Sequence, residues 1–152
     1  MIKSIGDPMR VDFFQNSSLD EVRVTVQAPS RSVEVDDLIS LIEGFSMSPI
    51  SGYSDGSVVK IAKKSVIRFY SRDKRVYVDT LEGSFSVKSP LYQLEEELPN
   101  NFVRISNSEI VNIDKILRLD MNLAGTIRIH LEGDIESRVS RRYLSKVKGV
   151  LM

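Results

Sequence analysis

The chain has 152 residues, 41% hydrophobic and 28% charged, a balance that supports a globular protein with a core of its own. It has no cysteine, which excludes disulfides, thiolate nucleophiles, cysteine zinc sites and iron–sulfur clusters, and fits a reducing compartment. Its net charge of zero argues by itself against a nucleic-acid binder, but the average hides two unlike parts. Residues 1–50 hold 4 Lys/Arg against 8 Asp/Glu, while residues 51–152 hold the other 17 against 13.

No apolar run approaches the ~20 residues that a membrane helix needs. The first nine residues lack the apolar centre of a signal peptide, so a cytoplasmic protein is expected. Met9 is an alternative start, which makes residues 1–8 a leader.

In chain order, residues 10–14 and 21–27 read as strands, with Asn16, Ser17 and Ser18 as the turn between them. Val22, Val24 and Val26 alternate with Arg23, Thr25 and Gln27, the period of a half-buried strand. A helix is predicted over residues 33–45, capped by Ser32, with Glu34, Asp36 and Asp37 in its first turn. Leu38, Leu41, Ile42 and Phe45 form its apolar stripe. Residues 46–52, with Pro49 and Gly52, read as a linker.

Short strands follow at residues 57–60, 66–70, 75–80 and 84–87, separated by turn signals such as Asp55-Gly56 and Glu82-Gly83. A helix then starts at Pro90, with Ser89 as its cap, repeats Leu91, Leu94 and Leu98, and stops at Pro99. Strands resume at 102–105, 116–120, 126–130 and 135–139, and a last helix, capped by Ser140, spans residues 141–150. The organisation predicted is a small acidic α/β segment (residues 1–50) followed by a basic, mainly β domain (residues 51–152). From Ser137 onward the chain carries Arg138, Arg141, Arg142, Lys146 and Lys148 with no acid, a stripe suited to phosphate or to the negative end of a helix dipole.

Signs of an enzyme are missing. The single histidine, His130, ends a strand and has no partner that spacing identifies. Glu95, Glu96 and Glu97 read as the solvated face of a helix rather than a metal site. No glycine-rich phosphate loop occurs, and the many serines lack a base. A phosphorylatable receiver needs several βα units, which fifty residues with two strands and one helix do not supply. No catalytic residue, metal or cofactor is expected.

The run VIRFYSRDKRVYVDTLEGSFSVKSPLYQLEEELPNNFVRISNSEIVNIDKI, followed by RVSRRYLSKVK, resembles the LytTR family of DNA-binding domains of bacterial transcriptional regulators. The matching pieces, in the family's order, are residues 69–80, 91–99, 102–116 and 140–148, and the resemblance covers about residues 51–151. It implies small antiparallel sheets with short helices, and loops rather than a recognition helix entering successive major grooves. It also implies a homodimer on direct repeats in double-stranded DNA.

Carried over by motif, the base contacts implied are Arg75, Asn107 and Arg142. Arginine can pair with guanine O6 and N7, and asparagine with adenine N6 and N7. Many family members have a basic residue where Asn107 stands, so their operator does not transfer. Lys74, Arg104, Ser106, Ser108, Arg141 and Lys146 are the candidate phosphate contacts. Arg104 has a structural alternative, pairing with Glu109 or Asp114, and Asn112 reads as a turn or cap residue. The first segment resembles that of small regulators lacking a receiver, often encoded beside a membrane protein that restrains them. A membrane-protein inhibitor is therefore a candidate partner, and residues 33–45 a candidate contact element or simply a helix packed on its own strands. The alternative of another class is a non-enzymatic protein-interaction module whose basic β domain meets an acidic partner.

Overall fold

The computed structural model describes residues 9–20, 22–43 and 48–152. These residues are mainly β, and among them are ten strands in two antiparallel sheets and three short α-helices. Helix α1 spans Val33–Glu43, and Ser32 caps it as predicted, its Oγ accepting from the Val35 amide at 3.3 Å. Phe45, the end of the predicted stripe, lies outside the described residues. The turn at Asn16 forms too, with the Asn16 side chain accepting from the Ser18 amide at 3.0 Å. The two strands expected on either side of it do not: among the described residues no strand precedes Ile50. The valines alternate, but no strand among the described residues pairs with their backbone, and Val22 and Val24 stay exposed.

The larger sheet has the order β2-β1-β5-β4-β3-β7-β6 and the smaller the order β10-β9-β8. The strands are β1 (Ile50–Ser54), β2 (Ser57–Ile61), β3 (Arg68–Arg72), β4 (Arg75–Thr80), β5 (Gly83–Val87), β6 (Phe102–Ser106) and β7 (Glu109–Asn112), then β8 (Ile116–Met121), β9 (Ile127–Leu131) and β10 (Ile135–Arg138). Helix α2 spans Leu91–Glu97 and α3 spans Leu144–Leu151.

Two strands were not legible as strands. The first three residues of β1 fall in the stretch 46–52 that Pro49 and Gly52 mark as linker, but Gly52 is buried inside the strand. A Cβ there would stand 2.7 Å from Ile61 Cδ1 and 2.8 Å from Phe85 Cβ, so glycine is required by close packing rather than by a turn. β7 is four residues long and lies between β3 and β6, with Ile110 and Val111 buried on opposite faces. Burial on both sides removes the alternation that marks a half-buried strand.

Helix ends differ as well. α2 begins one residue later than predicted: Pro90 is the cap residue, in an extended conformation, and no side chain caps the helix. The last segment opens as a single 3-10 turn, Arg141–Tyr143, before α3, and the Ser140 backbone carbonyl rather than its side chain accepts from the Tyr143 amide at 2.9 Å.

Two cores flank the larger sheet. On one face Phe69, Val78 and Ile110 pack with Leu91 and Leu94 of α2. On the other, Val103, Ile105 and Val111 pack with Ile127, Ile129 and Leu131 of the small sheet and Val147 of α3. A polar row on this second face joins the sheets. Arg68 donates to Asp79 at 2.7 Å and to Glu109 at 2.9 Å, and Ser137 of β10 donates to Glu109. Burial opposes the charge on Arg68, but its hydrogen bonds to Asp79 and Glu109 outweigh it and raise the pKa. Asn112 is the structural residue expected: fully buried, it donates to Val66 O at 2.8 Å and accepts from the Asp114 amide at 3.0 Å.

Candidate nucleic-acid interface

Three short segments carry the candidate base-contacting residues, and the fold brings them to one end of the larger sheet. The first is the β3–β4 hairpin, whose register pairs Arg72 with Arg75 across the two-residue turn Asp73-Lys74. Both turn residues have positive φ, 51° and 62°, as a type I′ turn requires. Neither is glycine, so each carries a steric cost of roughly 1–2 kcal/mol for a left-handed L-residue. Arg72 and Tyr70 were not singled out by sequence reasoning. The Arg72 guanidinium lies 5.9 Å from the centre of Tyr70 and 5.6 Å from that of Tyr77, which stack on each other at 5.5 Å. An arginine two residues after a tyrosine is the weak signal that could have flagged it.

The second segment is the β6–β7 turn, with Asn107 and Ser108 exposed at its tip. It lies beside the hairpin because the Ser71 amide donates to Ser108 O at 2.8 Å and Tyr70 pairs with Glu109. Ser106 and Ser108 are used within the turn: the Ser108 amide donates to Ser106 Oγ at 3.2 Å, and the two hydroxyls stand 3.3 Å apart. The third is the 3-10 turn Arg141–Tyr143. The Ser140 amide donates to Ile105 O at 2.9 Å, and the Tyr143 hydroxyl donates to Asn107 Oδ1 at 3.1 Å. Tyr143 thereby links the second segment to the third.

Arg75, Asn107, Arg141, Arg142 and Lys74 are all exposed, and among the described residues none of them is ion-paired. Arg104 is placed differently. Its side chain is only 11% exposed, and it donates to Ser106 O at 2.7 Å, Asn107 O at 2.6 Å and Glu95 at 2.9 Å. Its acidic partner is therefore Glu95 of α2, not Glu109 or Asp114. Lys146 also meets Glu95, at 3.1 Å, while remaining half exposed. The expectation that Glu95 to Glu97 form one solvated face holds for exposure, but Glu95 bridges two cations. Helical contact between α2 and β6 was not visible from spacing, which is why that bridge was missed.

His130 lies on the outer face of the small sheet, its Nε2 at 2.7 Å from Asp120. This contact, first of all, holds the Asp120 carboxyl below its ordinary value, and Arg118 adds to the effect. No helix of the described residues is long and apolar enough to cross a membrane.

The fold thus places exposed arginines and an asparagine on adjoining turns of a mainly β scaffold. The LytTr DNA-binding domain model matches residues 56–152, and the chain belongs to that family. A solved LytTr DNA-binding domain from Bacillus cereus superimposes with a TM-score of 0.67, covering 70% of this chain and 98% of that one at 23% identity. An uncharacterized HTH-type transcriptional regulator of Staphylococcus aureus (strain NCTC 8325 / PS 47) is 34% identical over 141 residues, 92% of this chain and 96% of its own length. Its counterpart in strain COL gives the same figures. Helix-turn-helix is part of those relatives' name. In this chain strands separate every pair of successive α-helices among the described residues.

Proposed function

We propose that this protein is a DNA-binding transcriptional regulator that reads promoter sequence through the turns at 73–75, 106–108 and 141–142. The observation that carries this reading is the convergence of those turns, tied by the Ser71–Ser108 and Tyr143–Asn107 hydrogen bonds, in a chain of the LytTr family. Arg75 and Arg142 present guanidinium groups suited to guanine in the major groove, and Asn107 presents an amide suited to adenine. Lys74, Ser106, Ser108 and Arg141 supply phosphate contacts that set register, while Lys146 is held back by Glu95. Arg104 acts from behind, holding the Asn107 turn through two backbone carbonyls. The chemistry is binding rather than catalysis.

The protein acts as a homodimer on direct repeats, which doubles the few contacts that one set of turns can make. Residues 1–50 form the separate segment through which it is controlled, by self-association or by a membrane protein encoded nearby. Residues 51–152 form the DNA-binding domain. The Staphylococcus aureus relatives that carry the regulator name align over 141 residues, so the likeness reaches into the first segment as well.

The test is to select bound duplexes from a random pool and then measure Arg142→Ala on the selected site across salt concentrations. Loss of a bidentate base contact should cost about 1–3 kcal/mol and relax preference at one position. The parent should release DNA steeply as salt rises. An Arg142→Ala variant that keeps full preference at every position would overturn the base-reading role.

A further inference from the structure

We infer that Glu95 is a positioning residue that sets DNA specificity while lowering DNA affinity, a role resting on the functional reading above. An acidic side chain next to a phosphate-binding surface opposes binding, because it repels the backbone and occupies cations that would release counterions. Glu95 does both. One carboxylate oxygen takes the Arg104 guanidinium at 2.9 Å and the other takes the Lys146 ammonium at 3.1 Å.

What this arrangement secures is the shape of the β6–β7 turn. Arg104 reaches the carbonyls of Ser106 and Asn107 with two of its nitrogens and Glu95 with the third. The planar guanidinium can hold all three only in one orientation. Glu95 fixes that orientation from α2, whose Leu91 and Leu94 are anchored in the core. From the other side, Tyr143 holds the Asn107 amide at 3.1 Å. The Asn107 turn is thus gripped front and back, and Glu95 is the charge that completes the rear grip. It also restrains Lys146, which without it is free to meet phosphate irrespective of sequence.

The experiment compares the parent with Glu95→Gln, Arg104→Lys and the double variant. Each is titrated with the duplex selected by the parent and with a scrambled duplex, at several salt concentrations, below each protein's melting transition. Glu95→Gln should bind the scrambled duplex more tightly, with a salt slope steeper by about 0.9 as Lys146 joins the phosphate. Its specific-to-scrambled ratio should fall about tenfold, the size of one lost base contact. Arg104→Lys keeps the charge but not the fork, and should lower the ratio similarly. Glu95→Gln should then add less than about twofold on that background, because both residues act through one contact. An unchanged ratio in folded Glu95→Gln, or full additivity in the double variant, overturns the role. If Glu95→Gln does not fold, retention of the parent ratio by Arg104→Lys overturns it instead. A parent that does not distinguish the two duplexes sinks the functional reading and this role with it, whereas a discriminating parent with unaffected variants sinks only the role of Glu95.

Discussion

Two stretches of this chain carry the same sequence signal and meet opposite fates. Val22, Val24 and Val26 alternate with polar residues, as Val76 and Val78 do in β4. β4 lies between β3 and β5, and its alternation places Val78 in the core beside Phe69. Among the described residues the earlier stretch has no strand beside it, and Val22, Val24 and Phe13 are exposed, the last by 87%. Alternation therefore specifies which face of a strand is apolar, not that a strand exists. The ladder must come from neighbours, and a hairpin without a third strand or a helix against it is marginal in water.

The largest test of this comparison is Phe69→Ala. Phe69 is fully buried, paired with Val78 and Ile110 and in tilted contact with Phe102 at 6.0 Å. Removing the ring should cost about 3–5 kcal/mol, read as a lower urea midpoint. A loss below 1 kcal/mol would mean that the core under α2 does not carry the fold.

Gly52→Ala is expected to be next in size. The added methyl group would meet Ile61 and Phe85 at under 3 Å, and one of those contacts is the Cβ of Phe85, which cannot swing away. Overpacking of this kind costs about 1–3 kcal/mol. Thermal unfolding of Gly52→Ala at unchanged melting temperature would show that β1 does not pack against β2 and β5 as closely as described.

These residues also show what sequence reasoning can and cannot reach. The turns at Asp55-Gly56 and Glu82-Gly83 were legible because their chemistry is local, and Asp55 and Gly56 do take positive φ. The order of the LytTR-like motifs gave the domain, and the three candidate turns were found from it. Gly52 misled because a glycine needed for close packing looks like a glycine needed for a turn. β7 escaped because a short strand buried on both faces has no period. The bridge from Glu95 to Arg104 and Lys146 joins residues 9 and 51 positions apart, and only the packing of α2 against β6 brings them together. Long-range pairing of that kind leaves no trace in local pattern.

The smallest expected effect is at Val24, and its size separates the two accounts of the first segment. Burying a valine fully contributes about 1.5–3 kcal/mol relative to leaving it exposed. An exposed Val24 contributes little of this, so Val24→Ser should change unfolding by less than ~0.5 kcal/mol in dilute protein. If residues 1–50 mediate self-association, a second copy would cover the valine row, and stability would then depend on protein concentration. The comparison is made by urea unfolding of the parent and Val24→Ser at two concentrations a hundredfold apart. A difference that grows with concentration identifies the segment as the dimer contact. A concentration-independent loss above 1 kcal/mol would instead show that the valines are buried within one chain, and that the contrast drawn between residues 22–26 and β4 is wrong.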